Sequence, residues 1–244
     1  MSVQIVEIMG RSIQGITRPF KCRGDDGHFY FVKGRGAGRR SQICEWIAGQ
    51  LALRLGLPIA PFDIVEVPQM LMDLDLSGEL QELGAGPAFG SRGLGVVELS
   101  VSHLAHVPAE VQRDVLTFDW WVCNADRTLT SLGGNPNLFW NIERQELVVI
   151  DHNQAFDRTF SEADFGDSHV FIDQWSALAG DWVYQQELAR KFAAAMVDWE
   201  VICNTVPPEW WFVDTEQTVP TDFNVAATRQ LLMRFQAQNF WSLP

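Results

Sequence analysis

Four cysteines, at positions 22, 44, 123 and 203, form no CxxC pair and keep no regular spacing. That excludes a disulfide framework or a zinc ribbon as the organising device and leaves reduced, mostly buried thiols, the pattern of a reducing compartment. Long apolar runs are missing too: no stretch approaches the ~20 residues a membrane-crossing helix needs. The opening Met1-Ser-Val-Gln-Ile-Val-Glu7 has neither the basic start nor the apolar run of an export signal, so the expectation is a soluble cytoplasmic protein without a membrane partner. Positive charge is scarce, with 18 Lys/Arg against 31 Asp/Glu and a net charge of −13. Phosphate backbones are gripped by basic surfaces, so direct nucleic-acid binding is not expected as the main activity. GxSxG, HExxH, Walker A and GxGxxG motifs are all absent, and no second histidine stands at ligand spacing from His152.

What is present is enough apolar residue, 47% of 244, to bury a sizeable core in one large domain or two small ones. Charge is distributed unevenly. Residues 1–40 carry eight Lys/Arg against three acids, a net +5, whereas the remainder is −18. A positive front end on an acidic body suits a polyanionic small ligand such as a nucleotide, although a solvated basic face is the plainer reading.

The first 68 residues read as strands with one helix. Val3 to Met9 is rich in β-formers, Asp25-Asp26-Gly27 signals a hairpin turn, and His28 to Lys33 resumes extended structure, which together suggest a small antiparallel sheet. Ser41 offers an N-cap, and Ile43, Ile47, Leu51 and Leu55 recur at helical spacing until Gly56. Residues 75–95 hold six glycines and read as a loop or interlobe connection. Pro108 opens a helix leading to Asn124, Leu138–Trp140 and Leu147–Ile150 form a strand pair, and Gln185–Cys203 and Phe223–Phe240 read as helices. The expected division is therefore 1–68 as a β-rich lobe and 69–244 as a mainly helical one.

Two segments whose aspartates stand 25 residues apart, Asn124-Ala-Asp-Arg127 and Val149-Ile-Asp-His-Asn153, each set an acidic residue where phosphoryl transfer could use it. That chemistry asks little of a protein beyond positioning and charge neutralisation. Asp126, at the end of a helix and followed by Asn135-Pro-Asn137, fits a carboxylate that accepts a hydroxyl proton beside a carboxamide that binds metal. Asp151 ends an aliphatic strand, where a carboxylate can take a hard cation; a helix N-cap is its alternative reading. Lys33 closes an aromatic strand and can reach phosphate oxygens, with Glu45 on the next helix as the carboxylate that holds it. Alone, Lys33 is an ordinary surface lysine; an Asp-Arg pair such as Asp126-Arg127 is often a structural salt bridge.

In order along the chain, these residues resemble the HipA-like kinase family, in particular its short bacterial members reduced to the kinase domain. The resemblance rests on Arg18-Pro-Phe, Tyr30-Phe-Val-Lys33, Glu45-Trp-Ile-Ala, Phe89-Gly-Ser-Arg92, Phe118-Asp-Trp-Trp-Val-Cys-Asn-Ala-Asp-Arg127, Asn135-Pro-Asn-Leu138 and Ile150-Asp-His-Asn-Gln-Ala-Phe-Asp157. It implies an α+β fold with two protein-kinase-like lobes and transfer of phosphate from ATP to a serine or threonine hydroxyl, often on a protein. Lys33 is then a phosphate contact held by Glu45, and Asp126 the base. Asp151 with Asn135 or Asn137 binds Mg²⁺, and Gly15, Thr17 and Arg18 lie near the phosphates. A regulatory protein partner is a further possibility, since some members are toxins with antitoxins. Familiar kinases use a shorter gap than the nine residues from Asp126 to Asn135 or the eleven to Asn137, so Leu129 to Gly134 reads as an insertion. That stretched loop keeps open a pseudokinase or kinase-like binding module, and a small-molecule kinase is the third reading.

Overall fold

A computed structural model describes residues 2–12, 18–75, 78–129 and 133–242. The expected contacts of Gly15 and Thr17, and Ser131 in the insertion, lie outside these residues. The fold is mixed α+β, and the chain forms two compact units.

The first unit comprises residues 1–46, 60–95 and 206–223. Strands β1 (Val3–Arg11), β2 (Phe20–Gly24) and β3 (Phe29–Lys33) lead into helix α1 (Arg39–Leu55), followed by β4 (Phe62–Val67), the short α2 (Gln69–Asp73) and β5 (Gly86–Arg92). The small sheet expected here is antiparallel in its β1-β2, β2-β3, β3-β5 and β5-β4 pairings and closes into a barrel, because β1 also pairs in parallel with β4 through Val3–Val65 and Gln4–Glu66. Period-two alternation sends Phe20, Cys22, Tyr30 and Val32 inward against Ile5, Val65, Val67 and Ala88, while Lys21 and Arg23 face out. At the β2–β3 turn Gly27 takes φ +80°, and Asp26 accepts from the His28 amide at 3.0 Å and the Tyr30 hydroxyl at 2.7 Å.

Strand β5 occupies the glycine-rich stretch expected to be a loop. Gly90 there serves close packing: a Cβ on it would stand 2.7 Å from Val65, so only glycine lets β5 close over that side chain. The unit thus takes in residues on both sides of position 68. Its last part returns from late in the sequence. The Pro208–Trp211 turn buries Trp210 completely, and the Trp210 indole donates to the Pro87 carbonyl at 2.9 Å.

Helix α1 starts two residues before Ser41, whose hydroxyl is buried inside the helix instead of capping it. Ile43, Ile47 and Leu51 are fully buried as the spacing predicts. The end is a Schellman motif, with Gly56 at φ +76° donating to Leu53 and Leu57 donating to Ala52.

The second unit comprises 47–59, 96–205 and 224–244. It contains β6 (Val97–Glu98), α3 (Val101–Leu104), α4 (Ala109–Val122), β7 (Leu138–Asn141), β8 (Glu146–Val149), α5 (Glu162–Ser168), α6 (Trp175–Gly180), α7 (Trp182–Val197), α8 (Trp199–Asn204) and α9 (Val225–Leu232). Strands β6-β7-β8 make a small antiparallel sheet. Its core is aromatic: Trp121 stacks on Phe192 at 4.2 Å and donates to the Leu232 carbonyl at 2.7 Å, and Trp120 donates to the Phe240 carbonyl at 2.8 Å. The single helix expected over 185–203 is two, broken at Asp198, whose carboxylate pairs with Arg54 at 3.0 Å. The one expected over 223–240 stops at Leu232 and continues as 3₁₀ turns. All four cysteines are buried and outside any disulfide, and burial pushes the Cys22 thiol up to about 12 and those of Cys123 and Cys203 up to about 11. Among the described residues no helix is long and apolar enough to cross a membrane.

Candidate active site

In the first unit, strand β3 ends at Lys33 and the next helix carries Glu45 twelve residues on. The Lys33 ammonium pairs with the Glu45 carboxylate, and both side chains are buried, at 9% and 2% exposure. Charges that deep survive only when paired. The local backbone is fixed as well: the Gln42 side chain donates to the Lys33 carbonyl at 2.7 Å, and Arg39 donates to Gln42 at 2.8 Å. Gly34 is required where it stands, because a Cβ would come within 2.1 Å of the Leu83 carbonyl oxygen. Arg18 is exposed at φ +40°, and its carbonyl accepts from the Arg11 guanidinium at 3.3 Å.

In the second unit, α4 ends at Cys123 in the left-handed region, φ 54°, which turns the chain sharply into Asn124–Thr128. The Asp126 carboxylate accepts from the Asn137 side-chain amide at 3.0 Å and from the Asn135 amide at 3.3 Å. The long spacing is reconciled by a closed neck. The Thr128 amide donates to the Asn135 carbonyl at 3.1 Å, and the Asn135 amide donates to the Thr128 hydroxyl at 3.3 Å. Gly134 makes that approach possible, since a Cβ there would stand 2.4 Å from the Thr128 carbonyl oxygen. Both asparagines therefore stand opposite Asp126 in spite of the spacing.

Asp151 follows β8 at φ 58°, and Asn137 sits at φ 50°, two of the few non-glycine residues in the left-handed region. Asp and Asn tolerate that conformation better than most residues, and such strain gathers at functional sites. The Ile150 amide donates to the Asn137 carbonyl at 3.1 Å, so the chain just before Asp151 is tied to the asparagine segment. Asp151 also lies near enough for its charge to act on Asp126. Burial raises the Asp126 pKa, and the Asp151 charge adds to it against the opposing hydrogen bond from Asn137 and the charge of Arg127. His152 is buried with its ring edge-on to Phe118 at 5.5 Å, a core histidine.

With both amide nitrogens turned to Asp126, the carbonyl oxygens of Asn135 and Asn137 remain as donors for a hard cation together with Asp151. Among the described residues no three His, Cys, Asp or Glu side chains gather into a metal cage. Mg²⁺ needs none, because it is held by one or two carboxylates plus substrate phosphates, and an all-oxygen set fits it.

Sequence reasoning missed the buried network beneath this loop. Arg127 pairs not with its neighbour Asp126 but with Asp119, through Nε at 2.6 Å, and both side chains are fully buried. Asn124 donates to Asp119 at 2.8 Å, and His169 contacts it through Nε2 at 3.0 Å. Because His169 Nδ1 accepts from the Phe171 amide at 3.2 Å, the ring is neutral, with its proton on Nε2. Burial alone would raise the Asp119 pKa, but the Arg127 charge and the His169 contact hold it well below the usual carboxylate range. The available signal was an aspartate amid Phe118, Trp120 and Trp121, a position that demands a partner.

A search of curated proteins finds no match. Among solved structures, the chain is similar to the Helicobacter pylori proinflammatory kinase CtkA, with a TM-score of 0.52 and 10% identity over 98% of this chain and 95% of that one, a likeness of fold. A family profile described as HipA-like kinase matches residues 5–244. The chain belongs to the HipA-like kinase family.

Proposed function

We propose that this HipA-like kinase transfers the γ-phosphate of ATP to a serine or threonine hydroxyl on a protein, using two lobes of the protein-kinase kind. The carrying observation is the Asp126 carboxylate held by two asparagine amides, with Asp151 close enough to raise its pKa. A base must be aimed and must bind a proton readily. Two amide donors fix the Asp126 carboxylate, and burial with a neighbouring negative charge raises its basicity. Asp126 thus takes the proton of the attacking hydroxyl. Asp151 and the carbonyl oxygens of Asn135 and Asn137 hold Mg²⁺, which neutralises charge on the phosphates when bound. Lys33, paired with Glu45, contacts the nucleotide phosphates, and Arg18, Gly15 and Thr17 are proposed as further phosphate contacts. The buried thiols fit a bacterial cytoplasm, and a regulatory protein is the expected partner beside the substrate.

The closed neck at Thr128–Asn135 favours an active enzyme over a pseudokinase, because it keeps the asparagines on Asp126 despite the inserted residues. Incubation with radiolabelled ATP, Mg²⁺ and bacterial lysate tests the reading. Labelling by wild type and its loss in Asp126→Ala supports it; equal labelling by both sinks the role of Asp126. Stabilisation by Mg-ATP, about 2.7 kcal/mol at roughly a hundredfold excess over Kd, separates a nucleotide-binding protein from a scaffold. Labelling of a small metabolite instead of protein would identify a small-molecule kinase.

A further inference from the structure

Arg127 uses every arm of its guanidinium. Nε and Nη2 reach the two Asp119 oxygens at 2.6 and 3.4 Å, while Nη1 reaches the carbonyls of Pro136, Asn137 and Ile150 at 3.3, 2.9 and 3.1 Å. Those carbonyls belong to the two segments that present Asn137 and Asp151, and Arg127 itself follows Asp126 directly. One planar group therefore sets the separation of all three segments. Its other side is braced from α5. His169 shares the Asp119 Oδ2 atom with Arg127, residue 128 bridges residue 169, and the Val170 amide donates to the Arg127 carbonyl at 3.1 Å.

We propose that Arg127 is a positioning residue for the phosphotransfer site, anchored by Asp119 and His169, and that it acts by fixing the backbone of Asp126, Asn137 and Asp151 without touching substrate. The proposal rests on the functional reading above. It explains why a full charge sits at zero exposure beneath a loop that a neutral core could have supported. A lysine could neutralise Asp119, but it is a point charge without the fork that spans a carboxylate and three carbonyls at once.

Arg127→Lys separates charge neutralisation from positioning. The expected result is a fall in kcat of about a hundredfold, the scale of a small misplacement of reacting groups. KM for ATP should stay within about threefold, the split that marks an interaction needed in the transition state. Amide hydrogen exchange should quicken at Thr128 and Ile150, whose amides bond to Asn135 and Asn137. If Arg127→Lys does not fold, His169→Ala replaces it: kcat should drop and the same amides quicken, and His169→Gln, which restores an N–H toward Asp119, should rescue both. Unchanged exchange with lost kcat would overturn the proposal by making Arg127 a direct contact. Unchanged exchange and kcat would make it a bystander. A folded wild type without phosphotransfer would refute the functional reading, whereas the exchange pattern would still decide the positioning role.

Discussion

Thr128 and Asn135 face each other through two hydrogen bonds, backbone amide to carbonyl at 3.1 Å and backbone amide to hydroxyl at 3.3 Å, seven residues apart in sequence. That pairing makes an inserted loop compatible with a compact site. It also locates the weak point of the arrangement at Gly134, where no side chain fits.

Gly134→Ala should therefore widen the neck. The new Cβ would meet the Thr128 carbonyl at 2.4 Å, so Asn135 and Asn137 must move from Asp126. Phosphotransfer should fall by about tenfold or more while the melting temperature changes little, because Gly134 is exposed and touches no core. A kinase assay beside a thermal melt checks this; equal activity would show that the neck does not govern the asparagines.

The Lys33–Glu45 pair should behave as a buried ion pair in a double-mutant cycle. Glu45→Leu or Lys33→Met alone should each cost about 3 kcal/mol, since one buried charge keeps its burial without this partner. The double variant should recover part of that loss. Urea denaturation measures all four proteins, and additive losses would refute the coupling.

Stability should decline on acidification in two stages with the same sign. Burial lowers the His169 pKa from 6.5, so the unfolded chain binds a proton there before the folded one does, and stability falls as pH drops below that value. Asp119 is held below its ordinary 3.8 by Arg127 and His169 in spite of burial, so its contribution, complete above that value, is lost as pH falls further. Denaturation curves across pH should show the upper stage vanish in His169→Gln.

Trp210→Ala should destabilise the first unit by about 3–5 kcal/mol, the range for emptying a buried aromatic site. Trp210→Phe should cost less, yet still leave the Pro87 carbonyl without its indole donor. Thermal melts of the two variants give the comparison.

Much of this was legible in the sequence, for identifiable reasons. The alternation leading to Lys33 marks a strand where one face is buried, and the four-residue spacing of Ile43, Ile47 and Leu51 marks a helix. Lys33 and Glu45 were readable together because a strand end and the following helix bring them near by local geometry. The glycine-rich strand β5 was not, since its Gly90 answers to Val65 and Tyr30, which are remote in sequence and invisible to local patterns. The same holds for Asp119 with His169, fifty residues apart. Nor could spacing reveal that Asn135 and Asn137 both reach Asp126, because that depends on a neck closed by Thr128.

The return of residues 206–223 to the first unit carries a practical consequence. Neither unit is a continuous piece of chain: the first needs three segments and so does the second. No single cleavage or stop codon releases either of them whole. A fragment ending at residue 95 would lack Trp210 against Pro87, and one beginning at residue 96 would lack the half of α1 that belongs with it. During synthesis the first unit can be completed only after more than 200 residues have been made, so a premature stop should yield an aggregation-prone or degraded fragment rather than a miniature enzyme.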